Sequence, residues 1–512
     1  VTKDFGLILK RVVLVGLTVL AALTVLSSLV QSLNQPQVQS RLELYQTQLL
    51  LQASELQADG DADLSALRET LIGDNPYSAA QQQYEKVREA AAEYLQTLKS
   101  RMEAIALPNA DLATLKQQEQ LQNAIAETDN FLDEVDLKLG LLQAQQEQTE
   151  KALETWEQLV QRTQPKRSEW GHTAAILRNL WSQSSLLSPQ AEAQIEANLT
   201  GWFRDRALQK LYQEQDRDAA LSSLRSQGQD RAQQAIFKLA AIAGIPGLGG
   251  VLGGGLLLFV LIQWLTNKER SLLGSNENPD WETPWNAEVI VQVLVVGFFF
   301  IGQFLLPIFF GAIGLETASL SLRQQAAFIL LSYLLMTVGG LLVLYLSLEP
   351  FFPLPETWFN WKPRGNWVLW GFGGYLVAIP LVVLVSLINQ QVWQGQGGSN
   401  PLLFLALQAQ DKVALGIFFF TAAIAAPLFE EIMFRGFLLP SLTRYLPVWG
   451  AIVASSLVFA IAHLSLAEIA PLTVLGIVLG TVYARSRNLL ASILLHGLWN
   501  SGTLLTLFLL GS

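Results

Sequence analysis

Three short clusters near the C-terminal end of this 512-residue chain place ionisable and hydrogen-bonding side chains among apolar ones. In Ala426-Pro427-Leu428-Phe429-Glu430-Glu431-Ile432-Met433-Phe434-Arg435-Gly436, two carboxylates and a guanidinium lie in a greasy stretch. Charged groups inside apolar helices are costly, which makes them functional candidates by default. Glu431 and Arg435 stand four apart with the acid first, the favourable order for a helical ion pair. Glu430 is turned about 100° away from that face. It is free to meet another helix, and an unpartnered carboxylate in apolar surroundings suits a proton-transferring base. Phe459 and His463 are again four apart on one helical face, so the phenyl ring can pack on the imidazole and exclude water. His496 and Asn500 repeat the spacing. Both can donate hydrogen bonds towards one point, as the stabilisation of an oxyanion requires.

The rest of the sequence limits the chemistry available. There is no cysteine, which removes thiol nucleophiles, iron–sulfur clusters and cysteine-ligated zinc. There are three histidines, at 172, 463 and 496, and two of them belong to these clusters. His172, beside Trp170, reads as surface or packing. A turn at Leu446-Pro447 lies 16 residues from both Glu430 and His463. Antiparallel helices folded there bring the two to one depth. His496 does not fit that depth easily, because it follows Arg487 by only nine residues.

The elements that must position these residues are membrane spans. The chain is 51% hydrophobic and 15% charged, against roughly 25% charged in soluble domains, and its mean hydropathy is +0.32. The net charge of −10 is uneven: residues 31–240 hold 30 acidic and 20 basic side chains, and the remainder is balanced. No stretch is basic enough for nucleic acid. Apolar runs at 12–30, 242–265, 289–310, 326–346, 367–387, 413–436, 447–466, 469–484 and 489–509 predict about nine crossings. The first reads as an uncleaved anchor rather than a cleaved signal, because its apolar run is long and no small-x-small site follows. Lys10/Arg11, Lys268/Arg270, Lys362/Arg364, Arg444 and Arg485/Arg487 fall on one side if the runs alternate. This places the N-terminus in the cytoplasm and residues 34–240 in a periplasm or lumen.

Between the first two runs the sequence is polar and helical. Heptad stripes at Tyr84–Met102 and Leu121–Leu142, broken at Leu107-Pro108-Asn109-Ala110-Asp111, predict an antiparallel coiled-coil hairpin. Six glycines from Gly247 to Gly255 predict close helix packing. Trp358, Trp361, Trp367 and Trp370 predict an interfacial aromatic belt. The fold class is therefore an all-α polytopic membrane helix bundle with a soluble helical domain inserted after the first helix. Its divisions are an anchor at 1–33, an acidic helical domain at 34–240, a helix and linker at 241–284, and a helical membrane domain at 285–512.

The ordered set Glu430-Glu431-x-x-x-Arg435, Phe459-x-x-x-His463 and His496-x-x-x-Asn500 resembles the CPBP family of intramembrane proteases. That family includes the CAAX prenyl endopeptidases and the bacterial Abi or self-immunity proteins, and the long N-terminal extension looks like that of a cyanobacterial-type member. The resemblance covers about 285–509. It implies an endopeptidase acting on a membrane-associated or lipidated, CAAX-type protein or peptide in a plasma or thylakoid-type membrane. It further implies that Glu430 and His463 activate a water, that His496 and Asn500 stabilise the oxyanion, and that Glu431, Arg435 and Phe459 shape the site. The zinc helix H-E-x-x-H and the serine elbow G-x-S-x-G are both absent. Two modes stay open: Zn2+ held by Glu430, His463 and His496 with water as the fourth ligand, or a metal-free, glutamate-activated water, which is the preferred expectation. The alternative is a non-proteolytic membrane immunity or scaffold protein that keeps the fold. The soluble domain is the candidate surface for a protein partner.

Overall fold

The computed structural model describes residues 2–33, 35, 38–57, 66, 70–105, 112–163, 168–182, 189–274, 281–314, 320–393, 396–399, 405 and 411–511. Among them the architecture is helical throughout, with no strand. The chain divides into two compact units, residues 38–244 and residues 1–37 together with 245–512. Helix α1 (Thr2–Ser32) opens the chain and belongs to the second of these.

Unit 38–244 contains α2 (Val38–Ser54), α3 (Pro76–Ile105), α4 (Leu112–Gln145), α5 (Thr149–Thr163), α6 (Glu169–Trp181), α7 (Ala191–Asn198), α8 (Gly201–Glu214) and the first part of α9 (Asp218–Thr266). Helices α3 and α4 pack antiparallel. Lys99 meets Asp129 at 3.7 Å, Arg88 meets Asp136, and Gln146 Nε2 donates to the Tyr77 carbonyl at 3.2 Å, so the partners ascend one helix as they descend the other. The stripe residues Tyr84, Val87, Leu98, Leu132, Val135, Leu139 and Leu142 are buried, and the core closes around Trp156, Leu159, Leu177 and Phe203. The Trp156 indole N–H donates to the Leu137 carbonyl at 3.2 Å, so burying the ring strands no polar group. Arg162 bridges Asp133 and Asp136 at 2.7 and 2.8 Å. The breaker at 107–111 lies outside the described residues, and His172 is exposed.

The membrane unit adds α10 (Ala287–Ala312), α11 (Leu322–Leu348), α12 (Trp367–Trp393), α13 (Lys412–Leu442), α14 (Val448–Ile461), α15 (Leu466–Ser486) and α16 (Leu489–Gly511). Among the described residues eight helices are long and apolar enough to cross a membrane. The ninth expected run, at 447–466, behaves differently. It forms the 14-residue α14, about 21 Å long by helical rise against a hydrocarbon core of roughly 30 Å. The helix stops because the chain turns at Ala462–Ser465, where Leu464 takes a left-handed φ of 59°. Trp358 also departs from the expected belt. It is buried, its indole donates to the Glu282 carbonyl at 3.0 Å, and its ring meets Trp285 edge-on at 4.4 Å. Trp361, in contrast, is exposed.

Three of the prolines inside apolar helices bear on the packing of this unit. Each lacks the N–H that would close the preceding turn, so a carbonyl four residues back loses its donor. Such prolines are tolerated in membranes when a neighbouring helix takes up the freed group. Pro380 in α12 frees the Leu376 carbonyl, and Gly253 of α9 approaches it so closely that a Cβ there would stand 1.8 Å from the oxygen. Pro471 in α15 frees the Ala467 carbonyl, which accepts from Asn389 Nδ2 at 2.6 Å. Pro427 in α13 opens the helix beside Glu430, and its compensation belongs to the site.

Candidate active site

Helix α13 carries wide π-type turns at Thr421–Ala425 and Ile432–Leu438, on either side of the two glutamates. Such turns recur at functional positions, and here the first has a local cause. The Ala426 N–H donates to Thr421 O, five residues back. In that register Ala422 O needs the N–H of residue 427, and in the ordinary register Ala423 O needs the same group. Pro427 has none. Both carbonyls meet α16: Asn500 Nδ2 donates to Ala422 O at 2.7 Å, and a Cβ on Gly497 would stand 2.8 Å from Ala423 O. One N–H of Asn500 is thereby committed to holding α13 against α16.

That contact brings His496 onto α13. Its Nδ1 lies 2.9 Å from Glu431 Oε1, and the same oxygen accepts from Arg435 Nη1 at 2.7 Å. Glu431, Arg435 and His496 are all buried. The Glu431–Arg435 pair is the expected i,i+4 pair. Arg435 Nη2 also reaches the Gly476 carbonyl at 3.3 Å. Gly476 is available because α14 and α15 touch there; a Cβ on it would lie 2.7 Å from that of Ser456. The His496 depth is explained by where α16 begins. Leu489 packs against Gly436, only five residues past Glu431, and Leu489 N donates to the Asn360 carbonyl at 2.9 Å. The α16 helix thus starts well inside the bundle rather than at its surface.

Glu430 faces elsewhere, as its rotation requires. Its Oε1 accepts from the Tyr333 hydroxyl of α11 at 3.0 Å. Its Oε2 is buried, has no hydrogen-bond partner among the described residues, and lies 3.9 Å from His496 Nε2. Since a carboxylate behind Nδ1 accepts, that nitrogen carries the proton, and Nε2 is the end presented to Glu430. The start of α11 is tied to the start of α13 by Arg323, which pairs with Asp411. Asp411 also caps α13 by accepting from Val413 N at 2.8 Å and Ala414 N at 3.1 Å.

Phe459 is the shared wall. It is fully buried, with the Arg435 guanidinium 4.5 Å from its ring centre, the His463 ring edge-on at 4.9 Å and the His496 ring edge-on at 5.7 Å. His463 Nδ1 donates to the Phe459 carbonyl at 2.9 Å, leaving Nε2 as the acceptor. Among the described residues no hydrogen bond joins His463 to Glu430 or His496. No three His, Cys, Asp or Glu side chains among the described residues gather as a metal-holding group. Glu430, His463 and His496 therefore do not gather as a Zn2+ ligand set in this arrangement.

Glu430, Glu431, Arg435, Phe459, His463, His496 and Asn500 thus lie on three helices and one turn: Glu431, Arg435, Phe459 and His496 touch one another, Glu430 faces His496, His463 joins them through the Phe459 ring, and Asn500 is tied to the Ala422 carbonyl. Two contributors were not expected. Tyr333 sits 97 residues before Glu430, and its only signal was a polar tip in a greasy helix. Pro427 was signalled by its place inside an apolar run three residues before Glu430.

Residues 412–502 match the family described as type II CAAX prenyl endopeptidase Rce1-like. All seven motif residues fall in that stretch. The chain is 27% identical over 145 residues to the membrane-embedded CAAX protease MroQ of Staphylococcus aureus (strain USA300), covering 27% of this chain and 58% of that protein. It is 26% identical over 134 residues to the putative membrane peptidase YdiL of Bacillus subtilis (strain 168), covering 26% of this chain and 54% of that protein. The chain thus spans just over half the length of these curated relatives. No solved structure matches it.

Proposed function

We propose, from the match of residues 412–502 to the Rce1-like family, that this multi-pass membrane protein is an intramembrane endopeptidase that hydrolyses a peptide bond with a glutamate-activated water. The observation that carries the reading is the pairing at Glu430. One carboxylate oxygen is fixed by Tyr333, and the other is buried, unpartnered and 3.9 Å from His496 Nε2. A polar gap of that length suits a bridging oxygen.

In the proposed reaction Glu430 takes a proton from water as the water oxygen attacks the peptide carbonyl carbon. The tetrahedral intermediate collapses, the C–N bond breaks, and the proton passes to the leaving amine. His463, its Nδ1 proton held by the Phe459 carbonyl, assists at the water through Nε2. With both nitrogens protonated, the His496 imidazolium keeps Nδ1–H on Glu431, whose carboxylate supports the charge, and donates from Nε2 to the developing oxyanion. The second N–H of Asn500 adds to it. Glu431, Arg435 and Phe459 hold these groups in place. The substrate class is a membrane-associated or lipidated, CAAX-type protein or peptide. This is supported by the family match and by the name carried by the S. aureus relative. The basic flank Lys10/Arg11 supports a cytoplasmic N-terminus.

The test is cleavage of a lipidated or hydrophobic peptide by the purified chain in lipid, with products located by mass spectrometry. Turnover is expected from the wild-type chain and should be lost in Glu430→Ala and His463→Ala. Full turnover in both variants would overturn the mechanism.

A further inference from the structure

The turn that carries His463 closes with its own bonds, from His463 N to Ala460 O at 3.2 Å and from Leu464 N to Ile461 O at 3.0 Å, but its exit into the next helix is held from outside. Leu464 has a φ of 59°, a conformation a leucine keeps only where its surroundings hold it. The helix that follows, α15, starts with N–H groups that need partners. The hydroxyl of its cap residue Ser465 caps none of them, because it turns away to the carbonyls of Gly397 and Gly398, at 3.2 and 3.1 Å, and among the described residues the Ser465 carbonyl accepts only from Glu468 N, at 3.3 Å. The partners of the first two N–H groups come from elsewhere. Leu466 N donates to Ser32 Oγ at 3.2 Å, across 434 residues of sequence, and Ala467 N donates to Gly397 O at 3.2 Å.

The Gly397–Gly398 segment is held in turn by α1 and the residue just beyond it. Gly398 N donates to the Gln35 carbonyl at 3.0 Å, and a Cβ on Gly398 would lie 3.1 Å from that of Ser32. Gly397 and Gly398 both have positive φ, 101° and 75°, so the loop takes a path that other residues resist. Ser32 is itself buried, and its hydroxyl is aimed by donating to Leu29 O at 2.8 Å.

We propose that the C-terminal end of α1, through Ser32 and the Gln35 carbonyl, is a positioning element for His463. On this view the first helix is not a tether but part of the catalytic unit, although it lies outside the Rce1-like stretch. Ser32 is a positioning residue. It acts through the Leu466 N–H on the turn Ala462–Ser465 and touches no reacting atom. The inference about turnover rests on the proposed protease reading. The inference about the turn does not.

The experiment uses the full chain in lipid and two readouts: hydrogen–deuterium exchange of the peptide covering 462–468, and kcat and KM on a cleavable hydrophobic peptide. Ser32→Ala removes the acceptor and leaves the Leu466 N–H unpaired. It should speed exchange in 462–468 but not in 426–438, and lower kcat roughly tenfold, the scale of one lost buried hydrogen bond, with KM within about twofold. Ser32→Thr keeps the hydroxyl and should restore both. Ser32→Cys, whose thiol is only a weak acceptor, should move both in the same direction by a smaller amount and keeps the proposal testable if Ser32→Ala does not fold; no change in either would overturn it. Unchanged exchange in Ser32→Ala would overturn the proposal, and so would faster exchange with unchanged kcat. Faster exchange in a chain whose wild-type form cleaves nothing would leave the clamp standing and remove the protease reading instead.

Discussion

The Asn500–Ala422 bond and the missing N–H of Pro427 make a quantitative pair. Asn500→Leu should leave the Ala422 carbonyl without a donor in an apolar interior, 2.7 Å from where the amide stood. Interhelical side-chain hydrogen bonds in membranes contribute about 0.6 kcal/mol on average and up to roughly 1.7. An unsatisfied buried acceptor costs about 1–3 kcal/mol. A loss of about 1–2 kcal/mol is expected. Pro427→Ala returns an N–H to position 427, which reaches Ala422 O in the wide-turn register and Ala423 O in the ordinary one. In that background the cost of Asn500→Leu should fall below about 0.5 kcal/mol, giving a coupling of about 1 kcal/mol. The assay is reversible unfolding of the four chains in mixed micelles. Additive costs, within the 0.3–0.5 kcal/mol or so expected of independent sites, would refute the reasoning. The same set separates two roles of Asn500. If its second N–H also serves the oxyanion, turnover stays low in the double variant even where stability recovers.

Three further outcomes are expected. Arg435→Leu leaves the fully buried Glu431 carboxylate without its cation, with His496 Nδ1 still donating to it, and should destabilise the chain by about 3–5 kcal/mol, whereas Glu431→Gln combined with Arg435→Met should recover much of it in the same unfolding assay. Tyr333→Phe releases Glu430 Oε1 without changing the ring. It should lower kcat by roughly tenfold, the scale of one hydrogen bond to a charged group, with little change in melting temperature; an unchanged kcat would show that Tyr333 does not orient the base. The Asp411 carboxyl is held below its ordinary value by the Ala414 N–H, with Arg323 and the Val413 N–H adding to it. The unfolded chain therefore binds this proton more readily, and the stabilisation is present above about pH 4 and lost as pH falls through the folded value. The melting-temperature difference between wild type and Asp411→Asn should accordingly shrink as pH is lowered below 4.

What was legible in the sequence was what lies along a single helix. Glu431–Arg435 and Phe459–His463 are i,i+4 contacts, and the helical period alone brings them together. The rotation of Glu430 away from that pair also followed from the period. Contacts between helices left weaker traces. Nothing near Glu430 announces Tyr333, because the two are 97 residues apart and meet only once α11 packs on α13. Ser32 is further still. The 447–466 run looked like a full span because hydropathy does not see Leu464 turning left-handed, and Trp358 looked interfacial because composition does not see Trp285 beneath it. Pro427 and Asn500 were both visible, but the link between them is a backbone carbonyl, which no side-chain pattern records.

The central claim is that Glu430 takes the proton from the attacking water. Glu430→Gln keeps the size of the side chain and an acceptor for Tyr333, and removes the base. Its direct test is the single-turnover rate on a peptide that the wild-type chain cleaves in lipid, measured beside wild type at matched folded fraction. A fall of about 10²–10⁴-fold is expected, the range of general base catalysis. A rate within a few-fold of wild type would contradict the account.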